Sequence, residues 1–246
     1  MEVSKRALLG TIIALLLLFA VGIRGKWEAE CGNDRFIRHS LRETAGQTEQ
    51  KSAGENAAEN AEIKRIALTF DDGPHPTYTE ELLDGLKERG VKATFFVMGE
   101  HAELHPDIIK RMSEEGHLIG NHTYSHIQLT SGNKETFKEE LRRTNEVITE
   151  ITGQEVTYVR PPYGSWDKAF EKELNMLPVL WSVDPLDWCC SDAACVARKV
   201  ETAVSENDII LLHDYYASSV QAALMIVDAL QEEGYDFVTV EELLLD

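Results

Sequence analysis

The chain has 246 residues, enough for one sizeable domain and a tail, and a formal net charge of -19. Residues 1–61 hold eight Lys/Arg and eight Asp/Glu, so the whole acidic excess lies in 62–246, where 16 Lys/Arg face 35 Asp/Glu. A domain of that charge repels phosphates, which argues against nucleic acid as a partner and suits a neutral substrate or a cation.

The chain opens with Lys5 and Arg6 and then an uncharged run, Ala7 to Ile23. That run is shorter than the ~20 residues that usually span a bilayer. Residues 1–30 therefore read as a secretory signal with a small-residue cleavage site near Ala20-Val21-Gly22, or as an uncleaved N-terminal membrane anchor. Either outcome puts the rest of the chain outside the cytoplasm, where disulfides are permitted. The cysteines are Cys31, Cys189, Cys190 and Cys195. Cys195 can close a small loop with Cys189 or with Cys190, and the connectivity stays open. Residues 31–61 are polar, with almost no apolar bulk in Ser52–Asn60, and read as a linker.

From Glu62 the pattern alternates. Ile66–Phe70 predicts a strand that ends in Asp71-Asp72-Gly73-Pro74. Thr77–Glu80 reads as a capping box opening a helix to about Arg89, stopped by Gly90. Ala93–Met98 is a second strand, Pro106–Glu115 a helix, and His117–Gly120 a third strand. Lys134–Thr152 has Phe137, Leu141, Ile148 and Ile151 on one helical face. Val156–Arg160 and Leu177–Val183 are further strands, with a helix from about Asp167 to Asn175 between them. A helix over Ala194–Val204 precedes a sixth strand, Asp208–Leu212. Ser218–Gln221 reads as the cap of a helix to Glu233, Phe237-Val238 as a last strand, and Thr239–Glu242 as the cap of a terminal helix. Strand-helix alternation of this length predicts an α/β fold with a parallel sheet curved into a barrel.

Unusual polar residues recur just after these strands, on the rim where such folds carry their chemistry. Taken alone, Asp71 and Asp72 read more readily as an Asx-rich turn that only bonds the backbone. His122 and His126 are four apart, a spacing that puts two imidazoles on one side of a helical turn and suits a divalent ion. His101 and His105 have the same spacing but no strand end beside them, and read as surface. Arg160 precedes two prolines, Asp184–Trp188 follow the fifth strand, and His213-Asp214 follow the sixth. Each has a plain structural reading as an ion pair, a packed ring or a buried histidine. Five such groups at five strand ends are harder to explain that way.

Thr69–Pro74, His122–His126, Arg160–Tyr163, Asp184–Trp188 and Leu211–Asp214 resemble, in order, the five motifs of the polysaccharide deacetylases, carbohydrate esterase family four, the nodulation-protein-B-like domain. The resemblance covers residues 62–246 as one catalytic domain. It implies a distorted (β/α) barrel of seven strands and metal-dependent removal of acetyl groups from N-acetylated sugars. The expected substrate is peptidoglycan N-acetylglucosamine, with chitin-type oligomers or another acetylated compound as alternatives. A wall-binding domain without turnover is the rival outside enzymes.

By position the resemblance makes Asp72, His122 and His126 the metal ligands, for zinc or else cobalt or another divalent ion. It makes Asp71 the general base and His213 the general acid, with Arg160 orienting Asp71 and Asp187 tuning His213. Tyr163 is expected to offer a backbone N–H to the oxyanion, Trp188 to wall the groove, and Leu211 to line the acetyl pocket. The segment Cys189–Cys195 is a departure that leaves fine specificity open. The expected partner is a cell-wall polysaccharide, and the expected location is extracytoplasmic, by secretion or by the N-terminal anchor.

Overall fold

The computed structural model describes residues 64–245. The expected signal or anchor, the linker and any pairing of Cys31 lie outside the described residues. Among the described residues no helix is long and apolar enough to cross a membrane.

Seven strands alternate with helices. β1 (Lys64–Asp71) leads to α1 (Tyr78–Glu88), β2 (Thr94–Val97), α2 (Gly99–Leu104), α3 (Pro106–Glu114) and β3 (Leu118–Asn121). Then come α4 (Lys134–Thr152), β4 (Tyr158–Val159), α5 (Lys168–Glu171), β5 (Leu177–Pro178), α6 (Ala193–Ala203) and β6 (Ile209–His213). The last elements are α7 (Ala217–Glu232), β7 (Tyr235–Val238) and α8 (Val240–Leu245). The sheet runs in the order β5-β4-β3-β2-β1-β6, with β7 beside β1, and every pairing is parallel. The ends of this curled sheet meet through a single bridge, Val183 to Ile210. A distorted, incompletely closed seven-stranded barrel is the result.

β1 is buried from Ile66 to Asp71, which explains its apolar run without polar alternation. Ile66, Leu68 and Phe70 face the helices and join a core with Leu82, Leu86, Ile109, Phe137 and Val227. Ala67, one step out of phase, belongs to a second and smaller cluster with Phe96, Tyr158, Val179 and Val240, which fills the barrel. Thr69 and Asp71 share the phase of Ala67, so the polar residues continue that inner face toward the strand's C-terminal end. Val240 closes the other end. Its N–H donates to Thr94 Oγ1 at 3.0 Å, so α8 is seated as a plug.

Most expected elements form, and their departures have local causes. At Thr239 the reciprocal capping box is present: Glu242 N–H donates to Thr239 Oγ1 at 3.3 Å, and Thr239 N–H to Glu242 Oε2 at 2.7 Å. At Thr77 it is absent. His75 Nδ1 instead accepts the N–H groups of Thr77 and Tyr78, both at 3.2 Å. Ser218 does not cap α7, whose N-cap is Tyr216. The fifth strand shrinks from Leu177–Val183 to two residues. Pro178 has no donor for the ladder, and the carbonyls of Val179 and Leu180 turn to Arg160 instead. Helix α5 keeps only one turn of the expected Asp167–Asn175.

Close packing inside the barrel gives a direct test. A Cβ on Gly120 would lie 2.5 Å from the Phe96 ring and 3.2 Å from the Tyr158 carbonyl oxygen. Gly120→Ala is expected to destabilise the domain by about 1–3 kcal/mol in urea unfolding. An unchanged midpoint would show that the β2–β3–β4 contact is looser than described.

Candidate active site

The C-terminal ends of β1, β3 and β6 deliver the site. Asp71 is the last residue of β1, and Asp72 turns out of the strand with φ 73°. That left-handed conformation is uncommon for a side-chain-bearing residue but accessible to Asp and His. The turn is pinned at each step. Gly73 carbonyl accepts the Met98 N–H at 3.1 Å, and Asp72 carbonyl lies 2.7 Å from His101 Nδ1, which must donate to it. A side chain on Gly73 would collide with the Asp214 carboxylate, so this position needs glycine.

The second ligand loop follows β3. His122 N–H continues the ladder to Val97 carbonyl at 2.9 Å. Asn121 Oδ1 then accepts the Thr123 N–H at 2.7 Å, and Glu140 accepts the Ser125 N–H at 2.7 Å. These bonds set the left-handed residues Thr123 (φ 64°) and His126 (φ 58°). Helix α2 braces both loops. Its first N–H groups, of Gly99 and Glu100, donate to the carbonyls of Thr123 and Tyr124, each at 3.0 Å, while its His101 holds Asp72.

Asp72, His122 and His126 meet as a three-donor cluster, with one ligand atom from each lying within 4.8 Å of the others. Asp72 Oδ1 is 3.5 Å from His122 Nε2 and 3.4 Å from His126 Nε2. This oxygen is buried and has no hydrogen-bond partner. His122 Nδ1 is 2.7 Å from the Arg160 carbonyl, to which it must donate, so Nε2 is the nitrogen presented to the cluster. Burial opposes a charge on Asp72, yet the adjacent His122 ring and the other nearby imidazoles hold its pKa down at about 2. Burial and the His122 ring push His126 below its usual value, toward a neutral ligand. An orphaned carboxylate oxygen facing two imidazole nitrogens fits a divalent ion with room for further ligands.

Two polar pairs flank the cluster. Arg160 is fully buried, and its Nη1 donates to Asp71 Oδ1 at 2.8 Å and to Thr69 Oγ1 at 2.7 Å. Asp71 Oδ2 faces His122 Nε2 at 3.8 Å. On the other flank His213 Nδ1 and N–H reach the two oxygens of Asp187, both at 2.8 Å. Asp187 is buried at the start of a 3-10 turn, Asp187–Cys189, set up by Leu186 at φ 57°. Burial alone would lower the pKa of His213. The Asp187 bond and charge, with Asp71 and Asp72 behind them, reverse this and raise it to about 9.

Leu211 is buried on the same face of β6 as His213. Tyr163 is 68% exposed, has φ 60° and lies edge-on to His126 at 4.8 Å, while Trp188 is 56% exposed. Cys189 and Cys190 are free thiols and Cys195 is disulfide-bonded, so neither short loop closes. His101 corrects the surface reading: it sits on a helix directly after β2 and grips a ligand's backbone. No sequence spacing marks that role, because the bond is to a carbonyl. His105 joins no part of the cluster. Asp214, noted after the sixth strand but given no role, is fully buried, with Oδ2 bonded to Thr79 Oγ1, whose hydroxyl in turn accepts the His75 N–H at 2.8 Å. Desolvation raises its pKa to about 7.

Residues 58–180 match the family model described as polysaccharide deacetylase. The chain is 39% identical to a peptidoglycan-N-acetylglucosamine deacetylase of Listeria monocytogenes, over 73% of this chain and 39% of that one. It is 38% identical to a peptidoglycan-N-acetylglucosamine deacetylase of Bacillus cereus, over 72% of this chain and 67% of that one. The solved structure of the peptidoglycan deacetylase PdaC of Bacillus subtilis superposes with a TM-score of 0.72 at 38% identity, covering 74% of this chain and 91% of that one. This chain thus spans about two fifths of the length of the Listeria relative.

The pKa of His213 in the metal-free protein is expected near 9 by NMR titration, falling back toward 6.5 in Asp187→Asn. Because the folded value is raised, the stability it contributes is complete below pH 6.5 and is lost as pH climbs through 9. A value near 9 that survives in Asp187→Asn would remove Asp187 as its cause. Arg160→Leu leaves a buried carboxylate without its partner and is expected to cost about 3–5 kcal/mol in denaturant unfolding. A loss under 1 kcal/mol would mean that Asp71 finds another partner.

Proposed function

The chain belongs to the polysaccharide deacetylase family, and from that membership we propose that it hydrolyses the acetamido group of an N-acetylated sugar in a cell-wall polysaccharide, with peptidoglycan N-acetylglucosamine as the substrate. The observation that carries this is the orphaned Asp72 Oδ1 facing two imidazole nitrogens, flanked by one carboxylate and one imidazole that each have their own partner. Names of relatives support the polymer. Action outside the cytoplasm follows from that substrate, with residues 1–30 as signal or anchor, 31–61 as linker and 62–246 as the catalytic domain.

Asp72, His122 and His126 would hold a divalent ion, with zinc as our assignment. Such an ion supplies Lewis acidity to water and to the amide carbonyl. Asp71 is held at Oδ1 by Arg160 and uses Oδ2 to take the proton of the attacking water. His213 is tied at Nδ1 to Asp187, so Nε2 gives a proton to the departing sugar nitrogen. Water's oxygen goes to the acetyl carbon, the C–N bond breaks, and acetate and a free amine leave. The Tyr163 backbone N–H supports the oxyanion, Trp188 walls the groove and Leu211 lines the acetyl pocket.

Acetate release from N-acetylglucosamine oligomers and from peptidoglycan tests this, using protein stripped of metal and reloaded with zinc. Asp71→Asn is expected to lower kcat by about a hundredfold to ten-thousandfold while zinc content persists. His126→Ala is expected to lose both zinc and activity. A folded, zinc-loaded protein that releases acetate from neither substrate would overturn the proposal in favour of a silent wall-binding domain.

A further inference from the structure

Two consecutive tyrosines follow His213-Asp214, between β6 and α7. Neither enters the core: Tyr215 is 39% and Tyr216 41% exposed. Nor does the start of α7 need their side chains, because its first N–H groups, of Ser219 and Val220, bond to the main-chain carbonyl of Tyr216.

The rings nevertheless have a definite order. Tyr215 stacks on His101 with centroids 5.3 Å apart and stands at 90° to His75 at 5.0 Å. His75 stacks on Tyr78 at 4.2 Å, and Tyr215 meets Tyr216 edge to face at 6.3 Å. The result is a cluster of five rings on the rim, centred on Tyr215, which touches His75, His101 and Tyr216. His101 ties these rings to the metal cluster through the Asp72 carbonyl. Burial first, and then the charges of Asp72 and Asp187, raise the pKa of the Tyr216 hydroxyl. Burial and the neighbouring histidines push the pKa of His75 down.

We propose that Tyr215 and Tyr216 form a subsite for the uncharged pyranose ring that adjoins the sugar being deacetylated. A pyranose presents an apolar C–H face and a polar edge. A half-exposed aromatic cluster with a phenol at its edge offers the matching pair of surfaces, with the exposed ring area for stacking and the Tyr216 hydroxyl for a hydrogen bond. The deacetylase reading of the centre underlies this inference, which adds a requirement for a chain of sugars. Stacking through His101 also links occupancy of the subsite to the residue that holds Asp72.

Steady-state kinetics on N-acetylglucosamine oligomers of one to five units test the subsite, using the zinc-loaded full chain. Wild type is expected to gain in kcat/KM with length. Tyr215→Ala and Tyr216→Ala are expected to lose about three- to tenfold of that gain, mostly through KM, with far less loss on the single sugar. Tyr215→Phe, which keeps the ring, is expected to restore it. Zinc content and melting temperature are read beside the kinetics, so that damage to His101 is seen as such. Length dependence that survives both alanine variants, or that wild type lacks, would overturn the subsite and leave the deacetylase reading intact. Absence of acetate from any substrate overturns that reading instead. Calorimetry of the tetramer with Asp71→Asn then decides the subsite alone: binding weakened by Tyr215→Ala supports it, and binding that is absent or unchanged overturns it.

Discussion

A guanidinium sealed inside the barrel holds the site together. Arg160 is the largest of the fully buried side chains, and its charge must be matched where water cannot reach. Its Nε and Nη2 donate to the carbonyls of Val179 and Leu180, both at 3.2 Å, its Nη1 serves Asp71 and Thr69, and its plane lies 4.2 Å from the Phe96 ring centre. Its main chain bonds to Asn121 on one side and receives the His122 ring on the other. One residue therefore joins β1, β2, β3 and the strand end after β5, and orients a ligand. The irregular fifth strand is a consequence, since carbonyls that would complete a ladder accept the N–H groups of this guanidinium instead.

The rim above Arg160 is conformationally expensive. Asp72, Thr123, His126, Tyr163 and Leu186 all have positive φ, and each lies just beyond a strand or in a loop that carries a candidate site residue. Such conformations cost of order 1–3 kcal/mol each and persist only where surrounding bonds over-determine them. Those bonds are identifiable. His101 and Met98 hold the Asp72 turn, Asn121 and Glu140 hold the His122–His126 loop, and Asp184 Oδ1 accepts the Leu186 N–H at 2.8 Å. The short helix α2 matters more than its length suggests, because its N–H groups and its histidine touch both ligand-bearing loops.

The alternation of strands and helices and the polar residues at strand ends were legible because both are repeated local patterns. Lys134–Thr152 was readable to the residue, being long, amphipathic and followed by a glycine with φ 72°. Harder to read were features set by tertiary contacts. Thr77–Glu80 satisfies a capping pattern, but Arg111, distant in sequence, claims the Glu80 carboxylate, and His75 takes over the cap. Leu177–Val183 has strand composition, but Arg160 competes for its carbonyls. His101 acts through a backbone carbonyl, which leaves no signature in residue type or spacing. The barrel interior was invisible for a related reason: Ala67 and Phe96 look like any strand residues until the sheet curls around them.

The two flanking pairs differ in a way that separates their chemistry. Asp71 faces a guanidinium, and burial lowers the pKa of Arg160 from so high a starting value that it remains a cation. That guanidinium occupies Asp71 Oδ1, which leaves Oδ2 on the side of His122. Asp187 faces an imidazole, whose proton can leave and return. Its buried carboxylate favours the charged ring without forcing it, giving a donor that is loaded at neutral pH. One barrel rim thus holds a carboxylate paired with a guanidinium and an imidazole paired with a carboxylate, on either side of the Asp72–His122–His126 cluster. Amide hydrolysis needs that asymmetry, because proton removal from water and proton delivery to nitrogen occur in the same turnover. It arises from the choice of partner, arginine for one and aspartate for the other, rather than from any difference in depth, since both pairs are largely buried.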